Sequence, residues 1–442
     1  MQTIDLIIKP QYVIPVVPRG QVLERHGVAV DRGRIIDVLP WDELDQRYQA
    51  AEVRELPEQV LIPGLINAHT HSAMALFRGL ADDLPLMTWL NEHIWPAEGR
   101  FVGADFVREG SLLAMAEMIR GGTTCFNDQY FFPDAVAEAA DKSGMRGRIS
   151  LLVIDFPTAW ASNHDEYFQR GQAVYEQWQS HPRIDCSWAP HAPYTVADEA
   201  LTRIGALSRE QDIPIHIHVH ETADEVSDAV DKDGRRPLHR LDELGLLDER
   251  FCAVHMTQLT EAEIRLCAER GIHVVHCPES NLKLASGMAP IEALRQAGVN
   301  VALGTDGAAS NNDLCMFSEM RTAALLGKAV AGNPEALPAS SVLEMATING
   351  ARALRIDDQV GSIEVGKQAD LTAVDLSSLE AQPCYDVIAQ LIYATHRSQV
   401  SEVWVDGRSL LREGRLTTLD PVALKAMVQR WQIQISQSGS AS

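Results

Sequence analysis

Eight short apolar runs alternate with segments of helical period along the middle of the chain. Both chain ends carry hairpin-like β patterns instead. These two observations predict an α/β protein: a (β/α)8 barrel of the TIM type, with a small β-sandwich domain built from both ends of the chain.

The elements follow in order. Residues 1–58 read as β, with LIIKPQYVIPVV, then HGVAVDRGRIIDVLP around an Asp-Arg-Gly turn. The candidate barrel strands begin at Val60 (VLIPGLINAH), Thr123, Arg146, Ile184, Ile213 (IPIHIHVHE), Phe251, Ile272 and Val299 (VNVALGTDG). Segments such as VREGSLLAMAEMIRGG place apolar residues at helical spacing between them. The first gap is the longest, which predicts an excursion over the active site after the first strand. Residues 360–415 return to β, in GSIEVGKQADLTAVD and VSEVWVDGRSLLREGRL, with Asp-Gly and Glu-Gly turns. The predicted division is 1–58 with 360–415 as the β-domain, 59–359 as the barrel, and 416–442 as a terminal helix and tail.

Composition narrows the function. A net charge of −23 over 442 residues argues against nucleic-acid and membrane-surface partners, which require a basic face. Neither a membrane span nor a signal peptide is expected from the sequence. Seven scattered cysteines without a CxxC read as reduced thiols of a cytoplasmic protein.

Metal-capable side chains recur where the predicted strands end: His69 and His71, His191, His218 with Glu221, His255, His276 and Asp306. Barrel active sites lie at that rim. A lone histidine is more often a satisfied core residue, but one rim position repeated over six strands points to a metal site. Imidazole and carboxylate donors suit zinc or a close relative.

With PGLINAHTH, the HxxE of HVHE, the single histidine of AVHM and GTDG, the sequence resembles the amidohydrolase superfamily over nearly its whole length. The resemblance implies a metal-dependent hydrolase. It makes His69, His71, His218 and Asp306 metal ligands, Glu221 the proton shuttle, and His255 the residue that orients the attacking water. Two-metal members bridge their ions with a lysine on the fourth strand. IDCSWAPHAP has none, so one divalent ion per subunit, zinc foremost, is expected. The superfamily also implies a homo-oligomer, a dimer or tetramer.

FRGLADDLPLMTWLNEHIWPAE, PHAPYTV and ESNLKLASG look most like the methylthioadenosine/S-adenosylhomocysteine deaminase group, whose neighbours include the chlorotriazine hydrolases. That likeness implies hydrolytic deamination at purine C6 of a small-molecule nucleoside. Trp89 would pack on the nucleoside, Glu98 would bind the ribose hydroxyls, and His191 would contact purine or ribose. Relatives that accept S-adenosylhomocysteine carry arginines in and after the third strand, whereas LLVIDFPTAWAS has no basic residue, which favours 5′-methylthioadenosine. The alternatives are another ring hydrolase, such as a guanine or 8-oxoguanine deaminase or a chlorotriazine hydrolase, and an inactive assembly homologue that has lost its ligands.

Within IPIHIHVHET, alternation puts His216, His218 and His220 on one face of the strand. The HxxE spacing selects His218 as the ligand. His216 is expected in the layer beneath the metal, and His220 at the rim, either in the pocket wall or supporting the site from behind its ligands.

Overall fold

The computed structural model describes residues 1–439. Eight parallel strands pair in sequential order: Leu65–Thr70, Thr123–Asp128, Arg146–Val153, Ile184–Pro190, Ile215–Val219, Phe251–His255, His273–His276 and Asn300–Leu303. All eight predicted strands are present. Beyond the eighth strand the Asp306 N–H donates to the His69 carbonyl over 3.0 Å, and the Thr305 N–H donates to Asn67 Oδ1 over 3.0 Å. The sheet thus closes into a barrel. Gly304 permits this approach, because a Cβ there would sit 2.8 Å from the His69 nitrogen.

Both faces of a barrel sheet are covered, which explains the continuous apolar runs in its strands. The first strand starts later than Val60. Residues up to Pro63 belong to the outer strand Tyr48–Pro63, and the barrel strand begins at Leu65. Gly64 makes the crossing, since a Cβ there would come within 2.0 Å of Thr124 Oγ1.

The chain ends form one nine-stranded sheet. Leu371–Asp375 pairs antiparallel with Tyr48–Pro63, which pairs parallel with Gln2–Val13. Its tight turns at Arg32-Gly33, Asp406-Gly407 and Glu413-Gly414 have positive φ at both central residues, the geometry that matches strand twist. The sheet folds over on itself. Ala369 N–H donates to the Gly33 carbonyl and Gly407 N–H to the Ala369 carbonyl, so the two halves meet edge to edge. Leu6, Val28, Val30, Leu61, Leu371 and Trp404 fill the space between them. Two details depart from expectation. Gly361–Gln368 is a turn segment rather than a strand, and Trp41–Arg47 is a short helix.

The helix Pro421–Gly439 packs on the helix Ala104–Arg120, where Trp431 donates to Glu109 and its ring meets Phe106 edge-on. Residues 440–442 of the expected tail lie outside the described residues. Among the described residues no helix is long and apolar enough to cross a membrane.

One ion cluster joins sheet and barrel. Arg146, at the start of the third barrel strand, donates to Asp370 Oδ2 (2.9 Å) and Asp406 Oδ1 (2.6 Å). Arg146 and Asp370 are nearly inaccessible to solvent. Removing one partner of a buried pair leaves an uncompensated charge, so Arg146→Met should lower unfolding stability by about 3–5 kcal/mol. Urea denaturation measures this, and an unchanged midpoint would show that the cluster contributes nothing.

Candidate active site

The C-terminal ends of the barrel strands bring five metal-capable residues together. His69, His71 and Asp306 form one group, and His69, His218 and His255 another, with ligand atoms within 4.8 Å of one another in each. Asp306 Oδ1 lies 3.2 Å from His71 Nε2 and 3.5 Å from His69 Nε2. His218 Nε2 lies 3.2 Å from His69 Nε2.

The outer ring nitrogens fix the tautomers. His71 Nδ1 donates to the Gln129 carbonyl and His218 Nδ1 to the His191 carbonyl, which leaves both Nε2 atoms pointing inward. His69 Nδ1 pairs with His216 Nε2 at 2.8 Å. Converging imidazole nitrogens and a carboxylate are the donor set that a first-row divalent ion takes.

Asp306 is shaped by the same contacts. Burial alone would raise its pKa, but His69 and His71 override that and hold the carboxyl well below its usual range. Its Oδ2 accepts from Ser280 (2.6 Å) and Ser310 (2.8 Å). Glu221 behaves oppositely. Burial, aided by the charge of Asp306, pushes it up to about 8. His255 Nε2 faces Glu221 Oε2 at 3.8 Å, and its Nδ1 pairs with Asn281 Nδ2 at 2.9 Å. The Asn281 NH2 can only donate, so His255 Nδ1 accepts and its Nε2 presents an N–H to the centre.

Three residues here hold left-handed backbones although none is glycine: His220 (φ 53), His255 (φ 76) and Asp306 (φ 62). Such conformations cost on the order of 1–3 kcal/mol each and concentrate at functional sites.

Above the cluster lies a cavity of about 340 Å³, within the range of small-molecule sites. Trp89, Glu98 and His191 all line it, as do His71, His218, Glu221, His255 and Asp306. The helical stretch Leu86–Phe101 forms one wall, with a wide π-type turn over Trp89–Ile94. Widened turns of this kind recur at functional sites. Phe156 and Pro157, from the loop after the third strand, form another part of the lining, with Trp95 against Phe156. Burial pushes Glu98 up to about 7, although the hydrogen bond donated by Tyr130 (2.6 Å) opposes the rise. His191 Nδ1 pairs with Thr195 Oγ1, and burial with the nearby charges of His71 and His69 lowers its pKa to about 3.

The other histidines separate. His216 sits beneath the cluster as expected, but it touches His69 directly. Of the two places expected for His220, the pocket wall is not the one it takes. The strand ends at Val219 and the left-handed turn rotates the His220 ring outward, where Nε2 accepts from Leu238 N–H and faces Glu263. His276 is buried and is in neither cluster. Tyr130, Ser280, Asn281 and Ser310 were not singled out from sequence. Tyr130 lies just past the second strand, so the rim rule that found the histidines applies to it as well.

Partners of metal-bound histidines tune affinity by about 10–100-fold. His216→Leu should therefore weaken zinc retention by about that factor without abolishing it. Competition with a chelator measures this, and wild-type zinc affinity would remove His216 from the support of the site.

The sequence pattern of the amidohydrolase family matches residues 60–410. The chain belongs to this family. A 5-methylthioadenosine/S-adenosylhomocysteine deaminase of Saccharophagus degradans is 49% identical, over 98% of this chain and 97% of that one. The crystal structure of an adenosine deaminase from Xanthomonas campestris with bound zinc superposes with a TM-score of 0.98, at 54% identity and 99% coverage of both chains. An atrazine chlorohydrolase from Arthrobacter aurescens shares the amidohydrolase fold at 23% identity, with a TM-score of 0.90 over 96% of this chain and 99% of that one.

Proposed function

We propose that the protein hydrolyses the 6-amino group of a 5′-modified adenosine, foremost 5′-methylthioadenosine, giving the inosine analogue and ammonia. The observation that carries this is Glu98, a buried carboxylate in the same cavity as the histidine–aspartate cluster. An ionised carboxylate is acceptor-only and can take both hydroxyls of a ribose. The deaminase names of the relatives support the reading.

His69, His71, His218 and Asp306 would hold one divalent ion, zinc, as in the Xanthomonas relative. The fourth strand, Ile184–Pro190, offers no lysine to bridge a second. Such an ion supplies acidified water at neutral pH. Asp306 takes the proton of the attacking water. Glu221, protonated near neutrality, gives its proton to ring nitrogen N1 as the water oxygen adds to C6. The Nε2–H of His255 hydrogen-bonds that oxygen and steadies it. The C6–N bond then breaks as Asp306 gives the proton it took from water to the amine, which departs as ammonia, while Glu221 takes the remaining proton of the C6 hydroxyl and leaves the carbonyl of the inosine analogue. Trp89 and His191 pack against the purine and ribose. The unpaired cysteines are in keeping with a cytoplasmic location.

Among the described residues the cavity lining contains no arginine or lysine. A methylthio group fits the Phe156–Pro157 wall, whereas an amino-acid zwitterion finds no cation there. Ammonia release from methylthioadenosine, S-adenosylhomocysteine, adenosine, 5′-deoxyadenosine, guanine and a chlorotriazine tests the reading. Methylthioadenosine should show the highest kcat/KM. A higher value for S-adenosylhomocysteine would sink the substituent preference, and turnover of guanine or triazine alone would sink the nucleoside reading. Glu98→Gln should raise KM for methylthioadenosine by about 10- to 100-fold, the worth of a charged hydrogen bond. An unchanged KM would remove Glu98 from the ribose.

A further inference from the structure

The Glu221 carboxylate accepts no hydrogen bond among the described residues, so its aim is set by its backbone. That backbone is held from two sides. Glu225, on the first turn of the helix Ala223–Asp233, accepts the His220 N–H at Oε1 (2.9 Å) and the Glu221 N–H at Oε2 (2.7 Å). The left-handed conformation of His220 turns these two successive N–H groups to one side, forming a small anion-binding nest. On the other side Thr257 donates from its N–H to the His220 carbonyl (3.0 Å) and from Oγ1 to the Glu221 carbonyl (2.8 Å). Glu225 is buried, and Thr222 caps its helix by accepting the Glu225 N–H.

We propose that Glu225 is a positioning residue for proton transfer: its carboxylate locks the 220–221 turn and thereby aims Glu221 at the substrate. This rests on the reading of Glu221 as the proton shuttle. Misplacing a reacting group by about 1 Å can cost on the order of 10²-fold in rate. Glu225→Gln keeps the size of the side chain but turns an NH2 group toward one of the two N–H donors.

The expected result for Glu225→Gln is a kcat lowered by about 10- to 100-fold, with KM for methylthioadenosine and zinc per chain unchanged. In a Glu221→Gln background the same change should cause no further loss, because the group being aimed has gone. An unchanged kcat, a parallel loss of KM or zinc, or a full additional loss in the double variant overturns the proposal. If Glu225→Gln does not fold, Thr257→Val loosens the same turn from its carbonyl side and must give the same kinetic pattern; any other pattern overturns the proposal as well. Full activity in Glu221→Gln alone would instead refute the shuttle, and the proposal with it, a failure distinguishable from the others.

Discussion

Asp306→Asn should lose zinc and turnover together, with kcat lower by on the order of 10⁴-fold or more. Asp306 is the one carboxylate in the clusters, and both of its oxygens are committed. Oδ1 faces His71 and His69, and Oδ2 accepts from Ser280 and Ser310. An asparagine amide cannot serve both sides. With its NH2 toward the histidines it opposes a cation, and with its NH2 toward the serines it offers a neutral oxygen in place of a charge. The proton acceptor for water is lost in either case. Zinc per chain after dialysis against a chelator, read beside ammonia release, decides the matter. A variant that keeps stoichiometric zinc and wild-type kcat would falsify the assignment.

Glu221→Gln should separate the two readouts: kcat falls by about 10²–10⁴-fold while zinc stays bound. Glu221 belongs to neither ligand group. Burial and the neighbouring Asp306 push it up to about 8, so at neutral pH it carries the proton that N1 needs. Glutamine preserves size and hydrogen bonding but has no proton to deliver. Zinc loss in this variant would make Glu221 a ligand instead.

The legible features of the sequence were the periodic ones. His69 and His71 could be placed because residues two apart on a strand share a face, and Glu221 because HxxE carries the chain just past a strand end. The same alternation misplaced His220. A strand rule holds only within the strand, and this one stops at Val219 before a left-handed residue. GSIEVGKQ alternates like a strand, yet it carries two glycines with positive φ and closes as a turn. Contacts between distant elements leave no local period. His69 with His216, Glu98 with Tyr130, and His255 with Asn281 join residues whose spacing in the chain carries no signal.

The shared outer sheet also bears on biosynthesis. Tyr48–Pro63 takes its antiparallel partner from Leu371–Asp375, roughly 300 residues later. At about 5–20 residues per second, a translating ribosome leaves that edge unpaired for roughly 15–60 s. An open strand edge invites pairing with other nascent chains. The interval before the last strands emerge is therefore the period of greatest exposure to aggregation, and a truncation that removes residues 371–416 would make that exposure permanent.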